Sequence, residues 1–322
     1  MRMRKKKNLH PRMDACESCW IRQPEAMRGH WRELYPQAQR LEVELGCGNW
    51  SPAPHVDLKG LTADAGARHR LLDTLGENGL TISALNCSGN PLAFQKDWEV
   101  TEKTFRLAKL LGVEKIVMMS GLPAGCPGDK TPVWITTSWP PETQDILDYQ
   151  WNEVAIPKWK ELVRMAEDCG IRQIALENHG MQLVYNPETL FRLREAVGPM
   201  VGMNLDPSHL FWMGGDPIEA ARVLGEQGAL YHVHGKDSRP ERRMAGPNGL
   251  LDTKPIDQFR TRSWNYVAVG CGHGAQWWKE FFSTVRMAGY DGDVSLEMED
   301  LTMTVDAGVH TSIDALRQTI SR

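Results

Sequence analysis

A barrel of alternating strands and helices, the TIM (β/α)8 fold, is the class this chain of 322 residues predicts, on three observations. Short apolar runs alternate with stretches of helical apolar spacing, which points to a parallel sheet with helical crossovers. The length suits one such barrel, since these commonly reach about 250 residues or more as a single unit. Four of the apolar runs end in a carboxylate or an imidazole, at Glu177, Asp206, His234 and Glu297. An ionisable group there is poor core design, because it must leave water, but strand ends are where barrels place their chemistry.

In chain order, the predicted strands are 41–46 (LEVELG), 81–86 (TISALN), 115–119 (KIVMM), 173–177 (QIALE), 201–206 (VGMNLD), 230–234 (LYHVH) and 293–297 (DVSLE). Helical spacing is read over 63–75, 100–111, 151–169, 187–197, 217–224, 277–288 and 305–320. Gly112, Gly170 and Gly289 follow three of these stretches, as helix stops that need positive φ. The eighth strand falls upstream, in 8–22, where a proline and few β-branched residues make it irregular. Residues 1–22 are accordingly a basic tail with an uncertain first strand, and 23–322 a single barrel domain. Two connections are long, one after the fourth strand (115–119) and one after the seventh (230–234). Both leave carboxyl ends of strands and so lie over the same face as the four strand-end groups. Trp134, Trp139 and Trp264 in these loops argue against disorder and offer platforms for a sugar ring or pins for the loops themselves.

Composition excludes several classes. An apolar fraction of 41% with 24% charged residues describes an ordinary globular chain. No segment approaches the roughly 18 uninterrupted apolar residues of a membrane span. A net charge of −4 provides no global field for nucleic acid. The opening MRMRKKK is followed by NLHPRMDACES and not by an apolar segment, so it reads as a solvated basic tail. Seven scattered cysteines, an odd number, argue for reduced thiols and a cytoplasmic setting. Cys16 and Cys19 form a C-x-x-C with no second pair to complete a zinc site.

Glu177, Asp206, His234 and Glu297 make three carboxylates and an imidazole. That hard-to-borderline set suits Mn²⁺ first, with Mg²⁺, Co²⁺ or Zn²⁺ as alternatives. Singly, each acid also reads as a cap of the helix that follows. Residues two apart on a strand share a face, which pairs Glu177 with His179, Asn204 with Asp206 and His232 with His234. A cation chelated by a carbonyl and its adjacent hydroxyl acidifies the C–H between them and stabilises the enediolate. Glu177, Glu297 and His179 are the candidate catalytic groups. His209, His232, Lys236, Asn86, Trp139 and Trp264 are the candidate substrate-binding residues. Arg239, Arg242, Arg243 and Lys254 are either anion contacts or solvated loop charges.

The segments NLDPSHLFW (204–212), HGKD (234–237), GCGHG (270–274) and GYDGDVSLEMED (289–300) occur in an order that resembles the xylose isomerase-like TIM barrel superfamily, in its sugar phosphate isomerase/epimerase branch. The resemblance spans roughly 40–320. It implies a divalent metal on Glu177, Asp206, His234 and Glu297, with His209 near the substrate. The unclear first strand, the long loop after His234 and His179 are also similar to the catalytic subunit of bacterial C-glycoside deglycosidases. That likeness implies elimination from 3-keto-glycosides, His179 as base and a small β-rich partner subunit. The leading expectation is a metal-dependent isomerase or epimerase of a keto-sugar, oligomeric and cytoplasmic. Lyase action on a 3-keto-glycoside is the alternative, followed by a non-catalytic sugar-binding barrel. An apurinic endonuclease needs more histidines and a basic groove.

Overall fold

The computed structural model describes residues 56–320 together with the backbone of 41–46. Seven parallel strands lie side by side in the order in which the chain makes them: β1 (Leu41–Gly46), β2 (Leu80–Cys87), β3 (Lys115–Met118), β4 (Gln173–Glu177), β5 (Val201–Leu205), β6 (Leu230–Gly235) and, after an insertion, β9 (Val294–Leu296). Each of the seven strands read from the sequence is present within one or two residues of its expected bounds. The eighth, expected in 8–22, lies outside the described residues, as do Cys16 and Cys19.

Helices connect the strands: α1 (Leu58–Ala63), α2 (Ala65–Glu77), α3 (Gln95–Leu111), α4 (Glu142–Asp148), α5 (Ile156–Asp168), α6 (Pro187–Val197), α7 (Pro207–Met213), α8 (Pro217–Glu226), α9 (Arg242–Asn248), α10 (Ala275–Met287) and α11 (Val305–Thr319). Local chemistry fixes their ends. Asn186 and Thr189 form a reciprocal capping box at the start of α6, with Pro187 in its first turn. Gly112 closes α3 at φ 71°, and its N–H returns to Ala108. Among the described residues no helix is long and apolar enough to cross a membrane.

Strand periodicity divides the side chains between two environments. Ile174, Leu176, Val201, Met203, Leu205 and Val233 point outward into the main core, where they meet Phe105, Trp159, Leu162, Leu190, Trp278 and Phe281 from the helices. Trp159, Trp278, Phe105 and Phe281 are wholly buried, each contributing about 1.5–3 kcal/mol. Cutting Trp278 to alanine would cost about 3–5 kcal/mol. The alternate residues face the other way. Ala84, Val117 and Ala175 form a small separate cluster under Tyr231, and further along the same face come Glu177, Asn204, Asp206, His232 and His234.

The two long connections hold structure that was not read from the sequence. After β3, the chain makes a bridge between Ala124 and Pro132 and enters α4, which passes through a π-helical stretch (Tyr149–Ala155) into α5. That wider turn carries the buried Gln150, whose amide donates to the carbonyls of Pro123 (3.0 Å) and Val133 (2.7 Å) and ties the loop down. After β6 the long loop read from the sequence contains an antiparallel hairpin. Its strands are β7 (Asp237–Pro240) and β8 (Trp264–Val267), with Ser238 opposite Tyr266 and Pro240 opposite Trp264.

Candidate metal centre

Glu177, Asp206, His234 and Glu297, from β4, β5, β6 and β9 or the residue that follows each, offer one ligand atom apiece, all within 4.8 Å of one another. All four residues are buried. Parallel pairing explains the convergence, because β4, β5, β6 and β9 are successive neighbours and deliver their last residues to one end. The register shift between Met203 and Asn204, where β5 meets β6, lies just before Asp206 and re-aims that end of the strand.

Each carboxylate is held by one oxygen while its other atoms face the centre. His209 Nε2 donates to Glu177 Oε1 at 2.8 Å. The Ser208 N–H donates to Asp206 Oδ1 at 2.8 Å, so Asp206 caps α7 with one oxygen and turns the other inward. Lys236 Nζ donates to Glu297 Oε2 at 2.7 Å. The inward atoms crowd together, with His234 Nδ1 3.5 Å from Asp206 Oδ2 and 3.3 Å from Glu297 Oε1. Asp206 Oδ2 is buried, 3.4 Å from His209 Nε2, whose shorter contact is with Glu177. The helix-cap reading and the metal-ligand reading of Asp206 are therefore compatible.

A divalent cation fits this arrangement. Three buried carboxylates face one buried ammonium, that of Lys236, and the cluster lacks about two positive charges. Without a cation the deficit shows as protonation. Burial, with Glu297 beside it, pushes the Glu177 carboxyl well above the usual carboxylate range. Burial also opposes the Asp206 ion, but His209, His234 and Lys236 outweigh it and hold that carboxyl well below the range. For Lys236, burial is overcome by Glu297 and Glu299, and its ammonium titrates well above the ordinary lysine value.

Supporting contacts set the tautomers. Because Glu177 only accepts, His209 carries its proton on Nε2, and Nδ1 accepts from the Tyr266 hydroxyl at 3.2 Å. His179 Nδ1 contacts the Gly180 carbonyl, which also only accepts, so the lone pair of His179 is on Nε2. The His179 ring lies 4.1 Å from that of His209, centre to centre. Burial and the neighbouring His209 lower the His179 pKa to about 3, and burial lowers that of His209 to about 4. Both rings are neutral at ordinary pH. His234 Nε2 lies 2.9 Å from Asn204 Nδ2, while Asn204 Oδ1 has no partner among the described residues. Turning that amide over places Oδ1 against an Nε2–H and leaves Nδ1 as the lone-pair atom facing the carboxylates.

The other candidate residues are placed variously. His232, two residues below His234, is buried and lies 2.7 Å from Ser295 Oγ through Nε2. Asn86 is buried at the end of β2 and accepts from the N–H and hydroxyl of Ser88. Lys236 lies 4.5 Å above the Tyr266 ring. Trp264 is 6% exposed and stacks on Trp212, whereas Trp139 is 75% exposed. Arg239 pairs with Glu241, and Lys254 with Asp252.

Three supporting residues were missed in the sequence. Tyr266 reaches His209 from the hairpin. Asn178 exchanges two hydrogen bonds with the Asp206 backbone (2.7 and 2.9 Å), which splices β4 to β5 beyond their last ladder pair. Asp237 gathers the N–H groups of Gly270, Gly272 and His273. That accounts for the GCGHG motif, since a Cβ at Gly272 would lie 2.4 Å from the Ser238 carbonyl. The alternation in WNY (264–266) was the available signal for Tyr266.

Residues 42–319 match the family model of the xylose isomerase-like TIM barrel, and the chain belongs to that family. It is 60% identical over 286 residues to the uncharacterized protein YfiH of Bacillus subtilis (strain 168), covering 87% of this chain and 91% of that protein. Among solved structures, a D-tagatose 3-epimerase-like protein superposes with a TM-score of 0.58 at 19% identity, over 89% of this chain and 91% of the other. The IOLI protein, crystallised with a binding zinc atom, gives 0.56 at 19% identity over 90% and 93%. At these identities the structural likeness establishes the fold.

Proposed function

We propose that this protein is a divalent-metal-dependent isomerase or epimerase that removes a proton next to the carbonyl of a keto-sugar. One observation carries the reading: three carboxylates, each pinned by one oxygen, turn their remaining atoms and His234 Nδ1 towards a shared centre beside a neutral histidine. Mn²⁺ is our first assignment for that donor set, with Mg²⁺, Co²⁺ or Zn²⁺ as alternatives; the zinc of the IOLI protein supports a transition metal on this fold. A cation held there polarises a substrate carbonyl and offsets the negative charge that grows as the neighbouring proton leaves. Glu177 and Glu297 are the acid–base pair for moving a proton off one face of the carbon and onto the other. Lys236 holds Glu297 through Oε2, and His209 steadies Glu177. The D-tagatose 3-epimerase-like neighbour agrees with this chemistry.

His179 favours a second reading. Its Nε2 carries a lone pair and the ring is unprotonated at neutral pH, so it can accept a proton. Were His179 to take the proton beside a 3-keto group, the substituent on the next carbon would leave by elimination. Incubating the metal-loaded protein with ketohexoses in D₂O is expected to place deuterium on the carbon next to the carbonyl. Cleavage of a 3-keto-glycoside without exchange into any free sugar would replace epimerisation by lyase action, and the absence of both results would sink proton abstraction itself. Elemental analysis should find about one divalent ion per chain and a clear deficit in Glu297→Gln; an equal content in both removes Glu297 from the ligand set.

A further inference from the structure

Beside the metal centre, the indoles of Trp134, Trp212 and Trp264 form one contiguous cluster. Trp212 and Trp264 stack in parallel with centroids 5.1 Å apart, and Trp134 meets Trp212 edge-on at 6.2 Å. All three indole nitrogens are buried, and none has an acceptor among the described residues. Two other buried indoles have acceptors: Trp159 donates to the Ser120 carbonyl at 3.0 Å and Trp278 to Asp237 at 3.4 Å. An unmet buried donor costs about 1–3 kcal/mol, so three in one cluster call for acceptors that the fold does not supply.

The cluster touches the reaction centre at two places. Trp264 packs against Tyr266 at 5.1 Å, and the Tyr266 hydroxyl donates to His209. Gly180, adjacent to His179, lets Trp212 lie against the backbone, since a Cβ there would sit 2.3 Å from Trp212 Cη2 and 3.5 Å from Trp134 Cη2. The faces of Trp264 are engaged by Trp212 and by the Arg262 guanidinium, 4.5 Å from the ring centre. What Trp264 offers a ligand is its N–H and not a stacking face. Arg262 donates through Nε to the carbonyl of Trp264 and through Nη1 to that of Lys254. The three indole N–H groups are neutral, single-proton donors, which suit hydroxyl and ether oxygens as acceptors.

We propose that Trp134, Trp212 and Trp264 form a subsite for a second, neutral, hydroxylated ring joined to the sugar at the metal centre, so that the substrate is a glycoside and not a free monosaccharide. The proposal rests on the keto-sugar reading above, which places a sugar at that centre.

Calorimetric titration of the Mn²⁺-loaded full chain with a panel of neutral α- and β-linked disaccharides, each beside the methyl glycoside of its non-reducing unit, tests it. At least one disaccharide is expected to bind about 10-fold or more tightly than its methyl glycoside, as one or two new hydrogen bonds would give. Trp264→Phe or Trp212→Phe should cost that disaccharide at least about fivefold more affinity than it costs the methyl glycoside. In ¹⁵N-indole spectra of the wild-type chain, three signals should move with the disaccharide and stay with the methyl glycoside. No advantage for any disaccharide in the wild-type chain, or an advantage that survives all three Trp→Phe changes, overturns the subsite. Should the variants not fold, the wild-type affinities and indole signals decide alone. Deuterium exchange into keto-sugars without any disaccharide preference removes the subsite and keeps the proposed reaction; indole-dependent disaccharide binding without exchange does the reverse.

Discussion

At the metal centre each carboxylate has a donor on one oxygen: His209 on Glu177, the Ser208 N–H on Asp206, Lys236 on Glu297. In the tryptophan cluster next to it, three indole N–H groups have no acceptor among the described residues. Both regions are buried and polar, and both are incomplete, but in different ways. The first leaves acceptor atoms, Asp206 Oδ2 among them, turned to a centre deficient in positive charge, as a preorganised cation site does. The second is deficient in acceptors for its neutral donors, which the oxygens of a hydroxylated ligand would supply.

The largest expected effect attacks the charged region. Lys236→Met leaves Glu297 and Glu299 facing each other without a cation and should cost about 3–5 kcal/mol in denaturant unfolding; an unchanged midpoint would mean Lys236 contributes nothing to holding the carboxylates. Next, His209→Leu strips Glu177 of its donor and should weaken metal affinity about 10–100-fold, read by competition with a chelating dye. Tyr266→Phe acts only through His209, and its effect should be in the same direction and smaller, about tenfold at most. If Tyr266→Phe proves the more damaging, the hydroxyl has a role of its own.

The pH dependence of the metal-free protein isolates the same histidine. His209 titrates at about 4 when folded and near 6.5 when unfolded. Between those values the unfolded chain binds the extra proton, so this residue's contribution falls as pH drops from about 6.5 to 4. The stability of wild type relative to His209→Leu should shrink across that window, by up to roughly 3 kcal/mol. Glu177, raised when folded, works in the opposite sense in both proteins, which is why the difference is the quantity to measure. A gap constant with pH would show that folded His209 takes the proton. The smallest effect belongs outside both regions: Trp139→Ala, at a 75% exposed ring, should shift stability by less than about 0.5 kcal/mol.

The strands and their terminal groups were legible because both are local. A buried parallel strand is an apolar run, and an ionisable residue at its end stands out in one dimension. The polar layer below the rim was less visible. In VGMNLD and YHVHG the inward residues Asn204 and His232 alternate with core residues, so a run read as apolar has a polar interior face. Partners brought by distant segments were not legible. Glu299 meets Lys236 from beyond the end of β9, and Tyr266 meets His209 only because a hairpin folds back over the rim. That hairpin was read as a loop because 23 residues of polar, Gly- and Pro-containing chain separate its strands, and non-local antiparallel pairing leaves no local signature. The role of Asn178 escaped because an asparagine that mimics a ladder pair looks like any strand-end residue.

The hairpin also bears on how such a molecule changes over generations. The ladder from Asp237–Val267 to Pro240–Trp264 clamps both ends of the excursion 241–263, and Asp237 fastens the glycine loop beneath it. Substitutions or length changes within the excursion are therefore insulated from the four ligands by a short stretch of fixed backbone. Its edge carries Trp264 and Tyr266, one in the indole wall and one at the histidine that steadies Glu177. Selection can work on ligand preference from that excursion while the reacting groups inherit an unaltered frame.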